Sequence, residues 1–308
     1  MYYDKLINLA MCLCKNYQED LSMSAYKIIT DSCADFTNEL YRKLDVTFAP
    51  LSVLFKGELH NNLIDDAEVK TLYNGLREGE MPTTSAANPD GWMAVMKPVL
   101  EEGQDVLCIA FSSALSTTYQ SAVIAANELA EEFPDRKIRV VDSLCAALGQ
   151  GYLIYHACKK RDAGMGLEEL TTWVEENKLH VAHWVTVDDL FHLKRGGRVS
   201  GTTAVVGTML NIKPIIHVSD EGKLVNVGKS RGRKPAMDTL LKKYEELTLD
   251  REVVFIAHGD CLEDAQALEK ALKEKHGVKE VHIGYVGAVI GAHTGPGVLA
   301  IFFMGEHR

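Results

Sequence analysis

From Met23 onward the chain alternates short apolar runs with amphipathic stretches, the pattern of a layered α/β fold rather than of a helical bundle or a β-sandwich. The spacing predicts strands at Tyr26–Thr30, Val46–Leu54, Val106–Phe111, Lys137–Val141 and His180–Val187. Between them it predicts helices at Asp65–Arg77, Pro89–Glu102, Ser116–Phe133, Cys145–Arg161 and Gly166–Asn177, so this part of the chain reads as a sheet with covering helices. After Val187 the texture changes. VDDLFHL runs into the basic, glycine-rich KRGGRVSG, and strands at Pro214–Val218 and Lys223–Val227 flank Ser219-Asp220-Glu221-Gly222, a turn with hairpin chemistry. A helix at Pro235–Leu247, a strand at Val253–His258, a helix at Leu262–Lys275 and a strand at Val281–Tyr285 complete a second α/β unit. The 308 residues suffice for about two domains. The boundary is expected at residue 180, giving an N-terminal extension (1–24), an N-terminal three-layer α/β/α domain (25–180) and a C-terminal α/β domain (181–308).

Composition narrows the partners. The formal charge of −10 opposes a phosphate backbone, so nucleic acid is not an expected partner. No apolar run reaches the ~18 to 20 residues needed to cross a bilayer. Residues 1–22 contain LINLAMCLCK but neither a basic leader nor a small-residue cleavage site, so they read as a peripheral extension or an over-long start rather than a signal peptide. The seven cysteines are odd in number, scattered and without C-x-x-C spacing, as expected of reduced thiols in a cytoplasmic protein.

Motif searches for a P-loop, a nucleophile elbow, H-E-x-x-H or G-x-G-x-x-G find nothing. What recurs is hydroxyl-rich loops at strand ends: Asp31-Ser32-Cys33-Ala34-Asp35, Pro82-Thr83-Thr84-Ser85-Ala86-Ala87-Asn88-Pro89, Phe111-Ser112-Ser113-Ala114-Leu115-Ser116-Thr117-Thr118 and Val141-Asp142-Ser143. Beyond the carboxyl ends of strands such loops suit a carboxylate or phosphate. Each is equally explained as helix capping, the ordinary use of Ser, Thr and Asp. Gly291-Ala292-His293-Thr294-Gly295-Pro296-Gly297 adds a histidine among glycines, able to donate to an anion in a backbone that can approach closely. Lys194–Arg198 and Lys229–Lys234 are cationic islands in an acidic chain, suited to anion recognition or simply solvated.

Taken in order, IITDSCADF, PTTSAANP, FSSALSTTYQSA, VVDSLCAALGQG, VDDLFHLKRGGRVSG, LNIKPIIHV with its D-x-G turn, and GAHTGPG resemble the DegV family, bacterial proteins similar to the fatty-acid-binding subunit of fatty acid kinase. The resemblance runs from about Tyr26 to Met304. It implies two α/β domains with one long-chain fatty acid between them, its carboxylate held by Thr84, Ser113 and His293, with Thr83 and Ser112 as adjacent alternatives. It also implies that Arg198 and Arg231 face a DAK-type, ATP-dependent kinase subunit that converts the bound acid to an acyl phosphate, in a role touching phospholipid metabolism. On this reading the carrier has no catalytic residue, metal or cofactor beyond its lipid, and meets the membrane only in transient surface contact. Ala86-Ala87 stands where Gln-Pro is common and Cys33 where Thr is usual, departures that bear on loop shape. A tail of about 15 methylenes offers on the order of 10 kcal/mol before binding losses, so neutral hydroxyls suffice for the head. The competing expectation is a stand-alone serine hydrolase using Ser113 and His293, which lacks a nucleophile elbow and an evident acid.

Overall fold

The computed structural model describes residues 26–61, 65–188, 190–199 and 211–308. The extension 1–24, with Cys12 and Cys14, lies outside the described residues. In chain order the elements are β1 (Tyr26–Asp31), α1 (Asn38–Lys43), β2 (Val46–Ala49), β3 (Ser52–Phe55), β4 (Glu58–Asn61), α2 (Asp66–Arg77), β5 (Thr83–Ser85), α3 (Pro89–Glu101), β6 (Asp105–Ala110), α4 (Thr118–Glu132), β7 (Ile138–Asp142), α5 (Leu148–Asp162) and α6 (Leu167–Asn177). They continue as β8 (Val181–Thr186), α7 (Phe191–Arg195), β9 (Ile212–Val218), β10 (Leu224–Arg231), α8 (Arg233–Leu247), β11 (Val253–His258), α9 (Leu262–His276), β12 (Glu280–Tyr285), α10 (Ala288–Thr294) and β13 (Leu299–Met304).

The first sheet is all parallel, in the order β2-β1-β6-β7. Its central strands are apolar on both faces, as crossover connections require: Ile28 and Ile29 are both fully buried, as are Leu107 and Cys108. One face packs on α3 and α4 through Trp92, Met96, Ala122 and Leu129; the other packs on α5. The second sheet is mixed, in the order β10-β9-β8-β13-β11-β12. Its far face is covered by α8 and α9 through Leu240, Tyr244, Leu268 and Leu272, and its near face meets α5. Helix α5 is therefore shared between two sheets, and Tyr152, Leu153, Ile154 and Ala157 are buried in one core with Ile28, Ile109, Phe255 and Phe302.

Local signals set several element starts. Asn88 Oδ1 accepts from Gly91 N at 2.8 Å with Pro89 in the first turn of α3, and Asp65 caps α2 through Ala67 N. The predicted hairpin between β9 and β10 is present, closed by Gly222 N donating to Ser219 O at 2.8 Å.

Two expectations require correction. Val46–Leu54 is not one strand: it divides at Pro50 into β2, in the parallel sheet, and β3, in a separate antiparallel sheet of order β4-β3-β5. Proline has no N–H to offer a ladder, and the chain changes sheets there. The glycine-rich segment around His293, expected as a loop, is helix α10 as far as Thr294.

Candidate functional site

A cavity of about 500 Å³ lies between the near face of the mixed sheet and loops from the parallel sheet, within the ~300 to 1,000 Å³ of small-molecule sites. Its floor follows from strand periodicity. His183 and Val185 of β8, Ile216 and Val218 of β9, and Ala300 and Phe302 of β13 alternate along their strands and share one face. Register aligns Ala300, Val185 and Ile216 in a row across three strands. The intervening Trp184, Ile215 and Ile301 enter the opposite core under α8 and α9. Leu51, Phe111, Ala146, Ala147, Val289 and Ile290 form the remaining apolar wall.

One end is polar. Thr84 Oγ1 and His293 Nε2 are 2.8 Å apart, joining β5 to α10. Register separates Thr83 from Thr84: Thr84 pairs with buried Val53 and lines the cavity, whereas Thr83 pairs with exposed Leu54 and is itself exposed. Ser112 and Ser113 also separate. Ser112 is fully buried, and its hydroxyl donates to Gly222 O at 2.9 Å, stitching the β6–α4 loop to the β9–β10 turn. Ser113 lines the cavity, its backbone N–H anchored on Asp142 Oδ1 at 3.1 Å.

His293 sits against Gly196, where a Cβ would come within 2.2 Å of the ring Nδ1. Burial, and then the charges of Arg198 and Arg195, push its pKa down to about 4, so the ring is neutral at pH 7. His183, also on the cavity wall, is committed to structure. Its Nε2 accepts from Ala146 N at 3.2 Å, which leaves the proton on Nδ1 to donate to Val181 O at 2.7 Å. Its pKa lies well below the usual range through burial first and Arg308 second.

Other singled-out loop residues are structural. Ser32 Oγ accepts from Leu51 N at 3.0 Å, and Ser143 Oγ accepts from Cys145 N at 3.1 Å. Asp31, fully buried, accepts from Cys33 N at 3.0 Å, Phe111 N at 2.7 Å and Gln150 Nε2 at 3.2 Å. Burial still raises its pKa to about 6, the hydrogen bonds opposing the rise. Sequence reasoning did not reach Asp31's part in placing Phe111, and no local motif signals it.

Arg198 and Arg231 are not brought together. Arg198 lines the cavity, its Nε donating to Leu115 O at 3.2 Å, and its neighbour Val199 bridges to Leu224 at the start of β10. Arg231 is exposed at the other end of that strand, ~20 Å away at strand rise. Exposed Arg195, of the same cationic island, is a nearer companion to Arg198, and its guanidinium donates to Ala292 O at 3.1 Å. Ser116 and Thr117 likewise line the cavity. Among the described residues no cluster of three or more His, Cys, Asp or Glu side chains is arranged to hold a metal, and no helix is long and apolar enough to cross a membrane.

The sequence model of the DegV family matches residues 25–306. The chain belongs to the DegV family. A DegV domain-containing protein of Clostridium perfringens is 42% identical over 289 residues, covering 93% of this chain and 99% of that one. The fold agrees with solved DegV structures. A fatty-acid-binding DegV family protein from Thermus thermophilus superimposes with a TM-score of 0.80 at 32% identity, over 90% of this chain and 98% of that one. A stearic-acid-binding protein from Eubacterium ventriosum gives a TM-score of 0.81 at 27% identity, over 91% of this chain and 98% of that one.

Proposed function

We propose that this DegV protein binds one long-chain fatty acid in the cavity and presents its carboxylate to a separate, DAK-type ATP-dependent kinase subunit in the cytoplasm. The observation that carries the reading is a largely apolar cavity of about 500 Å³ whose wall carries the Thr84–His293 pair. The ligands of the Thermus and Eubacterium relatives support the same class of occupant. Burial of the tail supplies the affinity at roughly 0.8 kcal/mol per methylene. Thr84, Ser113 and His293 then need only orient the head. The Thr84–His293 hydrogen bond uses one of that pair's two protons, so the pair offers the carboxylate one donor and Ser113 offers a second, without a bidentate guanidinium masking the oxygen that accepts the phosphoryl group.

In this role residues 25–180 and 181–308 act as two domains closing on the lipid, and the protein itself supplies no catalysis. The hydrolase reading is disfavoured because the imidazole Nε2 engages Thr84 rather than Ser113. Arg198, at the cavity wall, and exposed Arg195 are the cations best placed to meet a kinase near the carboxylate. Arg231 belongs to a separate part of such a surface. The test is titration of delipidated protein with palmitate and oleate by calorimetry, alongside mass spectrometry of lipid extracted after purification. Saturable binding of one equivalent supports the reading, and absence of both bound lipid and uptake rejects it.

A further inference from the structure

The segment from Ser143 to Ala147, between β7 and α5, has an unusual backbone. Leu144 and Ala147 both carry a Cβ yet have φ of 52° and 53°, and Ala147 combines this with ψ of −148°, a region that disfavours any residue but glycine. Such a shape persists only where its surroundings over-determine it. Two N–H groups are held locally, Leu144 N by Asp142 Oδ1 at 3.1 Å and Cys145 N by Ser143 Oγ at 3.1 Å, and Ala146 N is held from β8 by His183 Nε2 at 3.2 Å.

Two carbonyls are held from much further along the chain. Arg308, 4% exposed, donates from one guanidinium nitrogen to Leu144 O at 2.6 Å and Ser219 O at 2.9 Å. Its other terminal nitrogen donates to Lys178 O at 2.8 Å and Ser143 O at 3.3 Å, and meets Cys145 Sγ at 3.1 Å. The cation thus sits in a socket of four backbone carbonyls drawn from the strained loop, the β9–β10 turn and the segment before β8.

The loop also bounds the cavity. Ala146 and Ala147 line it together with His183 and Phe302. The paired residues His183 and Phe302 are four positions along the chain from Val187 and Val298, which follow β8 toward α7 and precede β13 after α10, the helix that carries His293; at strand rise this is ~13 Å. A ligand anchored by its head at Thr84 and His293 therefore runs past Ser113, whose N–H shares Asp142 Oδ1 with Leu144 N, toward Ala146 and Ala147. We propose that Arg308 is a positioning residue for the tail end of the cavity, holding the 143–147 loop in the shape that lets Ala146 and Ala147 close the channel and so limit chain length. The proposal rests on the fatty-acid reading above and adds the element that sets tail selectivity.

The test compares dissociation constants of delipidated full-length wild type, Arg308→Met, Arg308→Lys and Thr84→Val for laurate, myristate, palmitate and stearate, with folding followed by circular dichroism and gel filtration. In Arg308→Met the ratio of myristate to stearate affinity is expected to shift by about tenfold, the worth of one to two methylenes. Arg308→Lys, which keeps a charged donor but fills fewer carbonyls, is expected to fall between it and wild type. Thr84→Val should weaken all four acids by a common factor, leaving the ratio unchanged. Should Arg308→Met fail to fold, Arg308→Lys carries the comparison. A folded Arg308 variant with the wild-type ratio overturns the proposal. Wild-type protein that binds none of the four acids overturns the fatty-acid reading itself, and this proposal with it.

Discussion

Thr84 Oγ1 and His293 Nε2 lie 2.8 Å apart across 209 residues of chain, and the pair lines a largely apolar cavity. Neither side chain reaches this point by itself. Thr84 is delivered by a three-residue strand whose inward face is fixed by pairing with Val53, and His293 by a helix packed closely against Gly196.

Replacing Thr84 with valine preserves shape and removes the hydroxyl. The partly buried imidazole and the bound carboxylate each lose a partner, at about 1 to 3 kcal/mol. Fatty-acid affinity should fall by about one to two orders of magnitude, with secondary structure retained; calorimetric titration measures it.

The two adjacent serines should behave oppositely. Ser112→Ala cuts the link to Gly222 O and leaves a buried carbonyl unpaired, lowering the unfolding free energy by roughly 1 to 3 kcal/mol with modest effect on affinity. Ser113→Ala should spare stability and weaken binding. Urea unfolding and ligand titration of both variants separate the roles, and an exchange of phenotypes would refute the assignment.

Acid should destabilise the protein partly through His293. The imidazole titrates near 6.5 when unfolded and near 4 when folded, so between these values only the unfolded chain takes up the proton. Stability contributed by the neutral ring is complete above about pH 6.5 and declines as pH falls toward 4, by at most about 3 kcal/mol. His156, likewise lowered to about 4 by burial, adds a contribution of the same sign. Asp31, raised to about 6, acts in the opposite direction, since acidification relieves its buried charge. His293→Gln should therefore lose less stability than wild type between pH 7 and pH 4.5 in urea titrations; equal losses would show that His293 does not contribute.

Charge reversal distinguishes the two arginines. Arg198→Glu places an anion on the cavity wall and should weaken fatty-acid binding as well as phosphorylation by a partner kinase. Arg231→Glu, at the far end of β10, should leave affinity unchanged and act only on the encounter with the kinase, most visibly at low salt. Binding assays with and without kinase and ATP decide between them.

The parallel sheet was legible because buried central strands such as β1 and β6 are runs of apolar residues bounded by turns. The break at Pro50 was harder to place, because Val46–Ala49 and Leu51–Phe55 are both largely apolar and periodicity does not announce a change of sheet. Strands β4 and β5 escaped notice because they are short and polar, taking their conformation from β3. Gly291 suggested a loop, yet its place is in a helix: a Cβ there would come 2.6 Å from Tyr73 Oη, so its smallness serves close packing against α2. The proposed head-group residues Thr84, Ser113 and His293 come from family motifs. The structural parts of Asp31, His183 and Arg308 do not show in a linear pattern, since each rests on at least one backbone group distant in sequence: Phe111 N, Ala146 N, and the carbonyls of Leu144 and Lys178.

The small sheet draws every ladder partner among the described residues from 52–85, and its inner face forms a small core around Val53, Phe55, Leu72 and Tyr73 that α10 joins through Ala288. The rim that carries Thr84 is in this sense an inset module, entered at Pro50 and left at Asn88, while the tail channel belongs to the mixed sheet. Leu54 and Leu59, opposite each other across β3 and β4, are exposed, so exchanging them leaves the cores of both large sheets as they are. One cavity thus draws its rim and its floor from two separate hydrogen-bonded ladders, and a change in the first need not reach the second.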